Sequence, residues 1–400
     1  MPELGEIYEM TRVVNGFAKD RRVVGVHKSE VHKSDGLTFP DEWKRTTSGA
    51  RLFAVSRGKE LVLCLAGANT REGKALRDAA ADAAGVEAPS EEDLVAMGVA
   101  LPTLSAVFGG SNTAVSAVRF NAGMTGMWLV VPSQEEVPKH GHLVFEGDDG
   151  ACLVFDDMRR LSRWYETVNP DLDAVFAKDR GPDPVKEPEA FAANIEAGRG
   201  KRAYKLPICQ ALLNQKYFNG VGNYLRAEIL HRSGVSPFDA LEDVLDSDKG
   251  PVVIRKCTEI PAEIIRLGLG IGYKPAAPKT QAFKDWLQVY GMLDSCRDKT
   301  KRTIWFDASI HTVPEQYQAT LGQGKVLSIE KRAQPEAQDA TQPKTKTSKV
   351  KTSKVKTKVK TKVKTKVKTK VKTKVKSKAK SASGGAVGKK RVLRKRKVNK

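Results

Sequence analysis

The chain has 400 residues, a formal net charge of +22 and 40% hydrophobic residues. This length and apolar content predict two or three domains with hydrophobic cores, and no apolar run reaches the roughly 18 residues that a membrane span needs. We therefore expect a soluble protein with no membrane partner, and residues 1–20 lack the pattern of a secretory signal.

The positive charge is concentrated at the C-terminal end of the chain. Residues 341–400 hold 26 of the 69 Lys and Arg residues and none of the 47 Asp and Glu residues, so the rest of the chain is slightly acidic. We predict a disordered Lys-rich tail over residues 330–400, because like charges without counter-charges repel. Its basic end is typical of a nuclear localisation sequence or a phosphate-binding patch, and a purely solubilising role is the alternative.

Residues 1–165 alternate between short apolar stretches and polar turns, which predicts a β-rich domain. The clearest predicted strands are 22–26, 61–65, 128–131, 142–145 and 151–155. An insertion over residues 71–113 interrupts this domain and carries no predicted chemistry.

The pattern becomes helical after a Pro-rich linker, residues 166–188. Predicted helices cover 191–197, 207–214, 223–232 and 252–267, within a domain that spans residues 189–280. Residues 281–315 follow with a predicted helix up to Tyr290 and then a β-hairpin whose second strand is 302–306. The predicted fold class is therefore α+β.

Cysteine usage predicts neither disulfides nor a metal site. The five cysteines are Cys64, Cys152, Cys209, Cys257 and Cys296. An odd number of widely separated cysteines favours a reducing compartment, and no pair has the CxxC spacing typical of zinc ligands.

The first six residues carry a candidate nucleophile. Removal of Met1 would leave the secondary amine of Pro2 as the chain terminus, and a terminal amine titrates near pH 8, so part of it is neutral and nucleophilic. Glu3 and Glu6 are placed to move protons at the same site if the following segment is helical. An ordinary acidic first helical turn is the alternative interpretation of these carboxylates.

Two further segments carry candidate binding residues. Lys59 precedes an apolar strand and would contact a phosphate or relay a proton, although a turn lysine without a function fits equally well. The segment 214–228 places Gly220 and Gly222 before a helix. We expect the glycines to let the backbone approach a phosphate, with Asn223 as the helix N-cap and as a donor to DNA.

This segment and several others resemble the formamidopyrimidine-DNA glycosylase and endonuclease VIII family, most closely its animal endonuclease VIII-like members. The matching motifs are Pro2-Glu3, Arg57-Gly58-Lys59, Gly123-Met124-Thr125-Gly126, Asp157-Met158-Arg159-Arg160-Leu161, Tyr290-Gly291-Met292 and Arg302-Thr303-Ile304-Trp305-Phe306. The resemblance covers residues 1 to about 310. It implies a two-layered β-sandwich with flanking helices, a helix-two-turn-helix domain and a zincless finger.

The resemblance also implies an activity and assigns roles. The chain would be a bifunctional DNA glycosylase and abasic-site lyase that excises oxidised bases, namely oxidised pyrimidines and formamidopyrimidines. Pro2 would be the nucleophile, reacting through a Schiff base with β,δ-elimination and without a cofactor. The resemblance implies that Glu3 acts as acid and base and that Glu6 assists it. Lys59 would contact the phosphate of the lesion, and Asn223 and Arg302 would contact the flanking DNA backbone. The space left by the flipped nucleotide would be filled by Met124, Arg159 and Leu161.

Two departures from the family pattern affect these expectations. Leu161 replaces the more common aromatic residue, which keeps an apolar wedge but weakens stacking. Gly5 replaces a proline, and we expect it to loosen the start of the first helix.

The implied partner is double-stranded DNA with a damaged or abasic nucleotide, bound by a monomer in the nucleus; single-stranded and bubble DNA remain open. Two other functions stay open at this point. One is a noncatalytic DNA- or chromatin-binding family member, and the other is a glycosylase that prefers 8-oxoguanine and formamidopyrimidines. The loop at 268–274 does not decide the lesion preference.

Overall fold

The computed structural model describes residues 2–29, 49–67, 115–167, 175–270 and 279–324, together with residues 43, 74, 75 and 78. Met1, the predicted tail and most of the predicted insertion 71–113 lie outside these ranges, and so does most of the loop at 268–274. None of the helices in the described ranges is both long and apolar enough to cross a membrane.

The N-terminal part begins with helix α1, Leu4–Ala18, and continues as an antiparallel sheet. Its strands are β1 Val23–Lys28, β2 Ala50–Arg57, β3 Glu60–Gly67, β4 Val115–Asn121, β5 Met127–Val131, β6 Gly141–Gly147, β7 Cys152–Asp156 and β8 Arg163–Thr167. The strand order is β5-β7-β6-β1-β2-β3-β4-β8. All five predicted strands are present. We did not single out β2, β4 and β8 from the sequence.

The sheet consists of two four-stranded halves that face each other. A single residue pair, Val23 with Ala50, joins the halves at the β1–β2 edge. Across the interior, the ring centroid of Phe120 on β4 lies 5.4 Å from that of Trp128 on β5 and 5.7 Å from that of Phe155 on β7. These contacts bury the apolar faces of both halves in one core, as in a two-layered arrangement.

Helix α1 covers this core on one side. Val14 and Phe17 are buried in the same cluster as residues from both halves of the sheet. Asn15 fixes the helix to β2: its side-chain amide donates to the carbonyl of Ala54 at 3.0 Å and its oxygen accepts the Ala54 N–H at 2.8 Å. The C-terminal half of α1 is therefore held at a fixed position over the sheet.

The second part of the chain is helical. Its helices are α2 Pro188–Ala197, α3 Ile208–Ala211, α4 Asn223–Arg232, α5 Leu241–Asp246, α6 Lys249–Arg266 and α7 Thr280–Trp286. The predicted helix at 207–214 was too long, because after α3 the chain continues in turns in which the Asn214 side chain accepts the Lys216 N–H at 3.1 Å. Helix α5 was not predicted.

A two-stranded hairpin and a short helix complete the fold: β9 Asp294–Arg297, β10 Thr303–Phe306 and α8 Glu315–Gln318. The predicted helix up to Tyr290 was wrong in its end, because α7 stops at Trp286. The buried carboxylate of Glu228 accepts the N–H groups of Gln288 at 3.1 Å and Val289 at 3.0 Å, which gives these groups a partner outside a helix. The α+β fold class is confirmed.

Candidate functional site

The carboxylate of Glu3 caps the N-terminus of helix α4, which lies 219 residues further along the chain. It accepts N–H groups from Gly222 at 2.7 Å, Tyr224 at 3.0 Å and Leu225 at 3.1 Å. These are donors that the first turn of a helix leaves without an intrahelical partner. The N-terminal segment of the chain is therefore bound directly to the helical part.

This geometry corrects two expectations for the segment 214–228. The N-cap position of α4 is Gly222, and Asn223 is the first helical residue. The N–H groups expected to contact a phosphate are occupied by Glu3. A Cβ at residue 222 would lie 2.2 Å from Cδ of Glu3, so glycine is needed here because the carboxylate occupies the space of a side chain.

Glu6 lies one turn into α1 and completes a pair of buried carboxylates. It accepts the backbone N–H of Glu3 at 2.6 Å and the hydroxyl of Tyr224 at 2.9 Å. Gly5 does not prevent the helix from starting at Leu4. Its missing side chain serves the packing against α6, since a Cβ there would lie 2.6 Å from Cγ2 of Ile264.

Lys59 lies in the turn between β2 and β3 and points at the same region. Its Nζ donates to the carbonyl of Val221 at 2.7 Å, immediately before the start of α4. The preceding Gly58 has φ +58°, and a Cβ there would overlap the side chain of Asn219, so only glycine fits the turn. Asp183 fixes the turn by accepting the Gly58 N–H at 2.7 Å.

Burial shifts the titration of all three groups. It raises the pKa of Glu3, against the opposing charge of Lys59. Burial and the neighbouring charge of Glu3 raise the pKa of Glu6 to about 8. Burial also lowers the pKa of Lys59 to about 8, although Glu3 favours its charged form. Glu6 and Lys59, whose pKa values both lie near 8 in this buried cluster, are suited to proton transfer.

The end of the predicted linker contributes to this site. Arg180 pairs with Glu60 at 3.1 Å, and its charge helps to lower the pKa of Lys59. Lys186 and Glu187 also reach the β2–β3 hairpin: Lys186 donates to the carbonyl of Ser56 at 2.7 Å, and Glu187 accepts from Arg57 at 2.6 Å. These contacts hold the hairpin that carries Lys59.

Asn223 and the residue after Arg302 both accept hydrogen bonds from a buried arginine. Arg226 donates to the side-chain oxygen of Asn223 at 2.6 Å and to the carbonyl of Thr303, next to Arg302, at 2.5 Å. Arg302 is exposed at the turn of the hairpin, and its charge acts on Lys59. Asp298 closes that turn by accepting the Arg302 N–H at 2.9 Å.

A second group contains the three residues expected to fill the space of a flipped nucleotide. Met124 and Leu161 expose 40% and 43% of their surface, and Arg159 is exposed as well. They lie on two turns that Asp157 joins: its carboxylate accepts the hydroxyl of Thr125 at 2.5 Å and the N–H of Ser162 at 2.9 Å. All three residues therefore lie at the surface, on turns that Asp157 holds together.

Two residues of the site, Tyr224 and Arg180, were not predicted from the sequence. Tyr224 contacts both carboxylates, but in the sequence it looks like an ordinary apolar position of a helix. Arg180 precedes a Gly-Pro turn in a segment to which we assigned no chemistry. Within the described ranges, no three His, Cys, Asp or Glu side chains are grouped as a metal site would require.

We expect the pair of buried carboxylates to make stability fall as the pH rises. The pKa of Glu6 is about 8 in the folded chain and near 4.5 when unfolded, so between these values the folded state holds a proton that the unfolded state has released. The free energy of unfolding should drop by on the order of 3 kcal/mol from pH 5 to pH 8. Glu6→Gln should flatten this dependence.

The measurement is urea unfolding at a series of pH values. Glu135→Gln changes an exposed glutamate and is the matched control. Parallel curves for wild type and Glu6→Gln would contradict the buried titration of Glu6.

Comparison with known proteins identifies one family by sequence. The family described as "Formamidopyrimidine-DNA glycosylase N-terminal domain" matches residues 101–164. The chain is 31% identical over 332 residues to Endonuclease 8-like 1 of Homo sapiens and 32% identical over 333 residues to that of Mus musculus, in each case covering 76% of this chain and 72% of the relative.

Solved structures support the fold. Fpg (MutM) of Lactococcus lactis, crystallised with DNA containing an oxidised pyrimidine, aligns with a TM-score of 0.55 and 16% identity over 78% of this chain and 100% of that protein. At this identity the likeness concerns the fold. Together with the identity to the mammalian relatives, it shows that the chain belongs to the formamidopyrimidine-DNA glycosylase and endonuclease VIII family, on its endonuclease 8-like side.

Proposed function

We propose that the chain is a DNA glycosylase and abasic-site lyase of base excision repair that removes oxidised bases, with the amine of Pro2 as nucleophile. The observation that carries the proposal is the buried group formed by Glu3, Glu6 and Lys59 directly beside Pro2, which is itself buried. The names of the mammalian relatives and the DNA ligand of the Lactococcus lactis structure support the substrate class.

The chemistry requires that Met1 is removed, so that Pro2 carries a free secondary amine. Its lone pair forms a bond to C1′ of the damaged nucleotide, while the bond to the base breaks and its electron pair leaves with the base. The Pro2 nitrogen gives up its own proton, which neutralises the departing base, and Glu3 supplies the proton with which the C1′–O4′ bond opens at the ring oxygen. The resulting iminium acidifies the neighbouring C–H bond, which allows β-elimination of the 3′ phosphate and then δ-elimination at the 5′ side.

This sequence of steps needs no cofactor, because the iminium formed on Pro2 is itself the electron sink. A terminal amine titrates near pH 8, well below an ordinary lysine, so a reactive fraction is present at neutral pH. Lys59 lies in the same buried group and is available to contact the phosphate of the lesion.

The side chains around the site supply the DNA contacts in this proposal. Lys59 and Arg302 contribute charge to the phosphates, and Asn223 contributes an amide. Arg180 adds a further cation that acts on Lys59. Because Glu3 occupies the N–H groups at the start of α4, the phosphates are bound by side chains rather than by the helix terminus.

A damaged nucleotide must leave the stack to reach a buried amine, and the space that it leaves must be filled. Met124, Arg159 and Leu161 are exposed on joined turns and have the chemistry for this role: two apolar wedges and a cation. Leu161 fills space without aromatic stacking. We therefore assign these three side chains to the gap.

The basic tail adds charge outside the described residues. Residues 341–400 carry 26 Lys and Arg and no acid. Such a segment supplies salt-dependent attraction to DNA. The basic clusters at the end of the tail and the mammalian relatives also support a nuclear location. We infer that the protein acts there as a monomer on double-stranded DNA.

Borohydride trapping on a duplex with an abasic site tests the nucleophile. Borohydride reduces the iminium to a stable amine, so the wild type should form a covalent adduct, and the adduct should map to the peptide that begins with Pro2. Lys59 and Lys186 are the alternative amines to examine, since burial lowers the pKa of each to about 8. A protein with extra residues before Pro2 has the same lysines and a blocked amine, and is the matched control.

Each result assigns one function. An adduct on Lys59, or an equal adduct from the blocked protein, would overturn Pro2 as nucleophile. Binding without an adduct would leave the noncatalytic DNA-binding function. Excision rates on duplexes with oxidised pyrimidines, formamidopyrimidines and 8-oxoguanine then rank the lesions, and a preference for 8-oxoguanine would contradict the proposed preference for oxidised pyrimidines and formamidopyrimidines.

Truncation near residue 330 tests the role of the tail. We expect weaker binding to undamaged duplex DNA and a shallower dependence of log affinity on log salt, because fewer counterions are released. The single-turnover rate of strand cleavage at saturating protein should stay unchanged. A full-length chain with the lysines of 344–380 changed to Gln controls for length. Loss of the single-turnover rate would refute this separation of binding and chemistry.

A further inference from the structure

Tyr224 connects the two buried carboxylates of the site. Its backbone N–H donates to Oε1 of Glu3 at 3.0 Å, and its hydroxyl lies 2.9 Å and 3.2 Å from the two carboxylate oxygens of Glu6. One residue at the start of α4 thus contacts Glu3 through the backbone and Glu6 through the side chain.

The ring of Tyr224 has little freedom to move. The residue is 1% exposed, and its ring packs edge-on against Phe283 at 5.4 Å and against Tyr290 at 6.2 Å between centroids. The backbone bond to Glu3 fixes the other end of the residue. The hydroxyl oxygen is therefore held at one place, and rotation about the C–O bond changes only the direction of its proton.

A hydroxyl at this place has a property that the backbone donors lack. The N–H of Glu3 only donates, so it stabilises the ionised form of Glu6. A phenol both donates and accepts. When Glu6 is ionised, Tyr224 donates to it, and when Glu6 is protonated, the carboxyl O–H donates to the oxygen of Tyr224. Tyr224 therefore pairs with Glu6 in both protonation states.

The surroundings of Glu6 make this property important. The ionisable groups that act on it are Glu3 before α1 and Lys59 from the β2–β3 turn, while Glu6 in turn acts on Tyr290. Glu9 lies one turn further along α1 and is mostly buried. A carboxyl in such a site that gains or loses a proton without a compensating partner incurs a large desolvation cost.

We propose that Tyr224 is the positioning residue that allows Glu6 to exchange a proton during catalysis, by turning its hydroxyl from donor to acceptor as Glu6 becomes protonated. Tyr224 keeps its own proton throughout, and the proton that moves is the one exchanged between Glu6 and the substrate. This proposal rests on the proposed glycosylase and lyase function and explains why a tyrosine occupies this helical position.

Tyr224→Phe tests the proposal, with Tyr204→Phe as the matched control. Tyr204 is also fully buried, and its hydroxyl donates to the carbonyl of Ile195 at 2.6 Å, away from the carboxylates. Both variants lose one buried hydroxyl and one hydrogen bond. A purely structural role of the hydroxyl would therefore affect the two proteins alike.

The first readout does not depend on activity. In full-length protein labelled with ¹³C at the glutamate carboxyl carbon, Glu6 is assigned by comparison with Glu6→Gln and titrated by NMR. The hydroxyl donates a charge-assisted hydrogen bond to ionised Glu6 and accepts a weaker one from protonated Glu6, so its removal destabilises the ionised form more, and the midpoint of Glu6 should rise by about one pH unit in Tyr224→Phe. It should stay unchanged in Tyr204→Phe.

The second readout is the pH profile of single-turnover cleavage of a duplex with a preformed abasic site. One limb of this pH profile should depend on Glu6 and be absent in Glu6→Gln. In Tyr224→Phe the midpoint pH of that limb should rise by the same amount as the Glu6 midpoint, with a lower maximum rate and little change in DNA affinity. An unchanged Glu6 midpoint, or an equal shift in both Phe variants, overturns the proposal. A shifted midpoint with an unshifted profile overturns the catalytic role, and absence of cleavage by wild type overturns the proposed function itself.

Discussion

The contact between the Glu3 carboxylate and the first turn of α4 determines the arrangement of the site. Three backbone N–H groups converge on one carboxylate, and the helix dipole favours its negative charge. Because Glu3 follows Pro2, the same contact fixes the candidate nucleophile against the helical part of the chain. The β-sheet part and the helical part thus meet at a polar junction, which is formed by the candidate catalytic groups.

This junction explains several sequence features that have no local reason. Gly222 lacks a side chain because the carboxylate lies there, and Gly58 lacks one because Asn219 lies there. Lys59 reaches the carbonyl of Val221 and adds a positive charge beside Glu3. Each of these positions brings a turn or a helix end close enough to exclude water from the carboxylates.

Exclusion of water has a cost in stability. Burial of two carboxylates and an ammonium group is unfavourable unless these groups are paired and hydrogen-bonded. The shifted pKa values of Glu6 and Lys59 reflect the desolvation cost that their partners do not offset. Such strain is characteristic of functional sites, which keep groups near the pH at which they must exchange protons. The apolar cores of the β-sheet part and the helical part provide the stability that offsets this cost.

The sequence predicted the parts of the fold that have a local pattern. Helix α4 was predicted with its observed bounds, 223–232, and all five strands that were predicted from short apolar stretches are present. Strand β2 was not singled out because the charged Arg51 and the polar Ser56 interrupt its apolar residues, although six of its eight residues are buried. The length of the helix at 207–214 was wrong because a side chain, Asn214, competes with the backbone for a donor.

The candidate site could be predicted in its residues but not in its contacts. Pro2, Glu3 and Lys59 were selected because they occur together with distant family motifs. The capping of α4 by Glu3 joins residues more than two hundred positions apart, and no local pattern indicates such a pair. For the same reason Asn223 was taken for the N-cap, and Tyr224 was overlooked, since its role depends on two carboxylates from the other end of the chain.

The most direct test of this account is the single-turnover rate of abasic-site cleavage by folded Gly222→Ala protein. A Cβ at this position would overlap the Glu3 carboxylate, so the junction must open by about 1 Å or more, and a displacement of this size is expected to reduce the rate about 100-fold. Gly16→Ala adds a methyl group where nothing lies within 4 Å, and should cleave at the wild-type rate. A wild-type rate for Gly222→Ala would contradict the central role of the Glu3 junction.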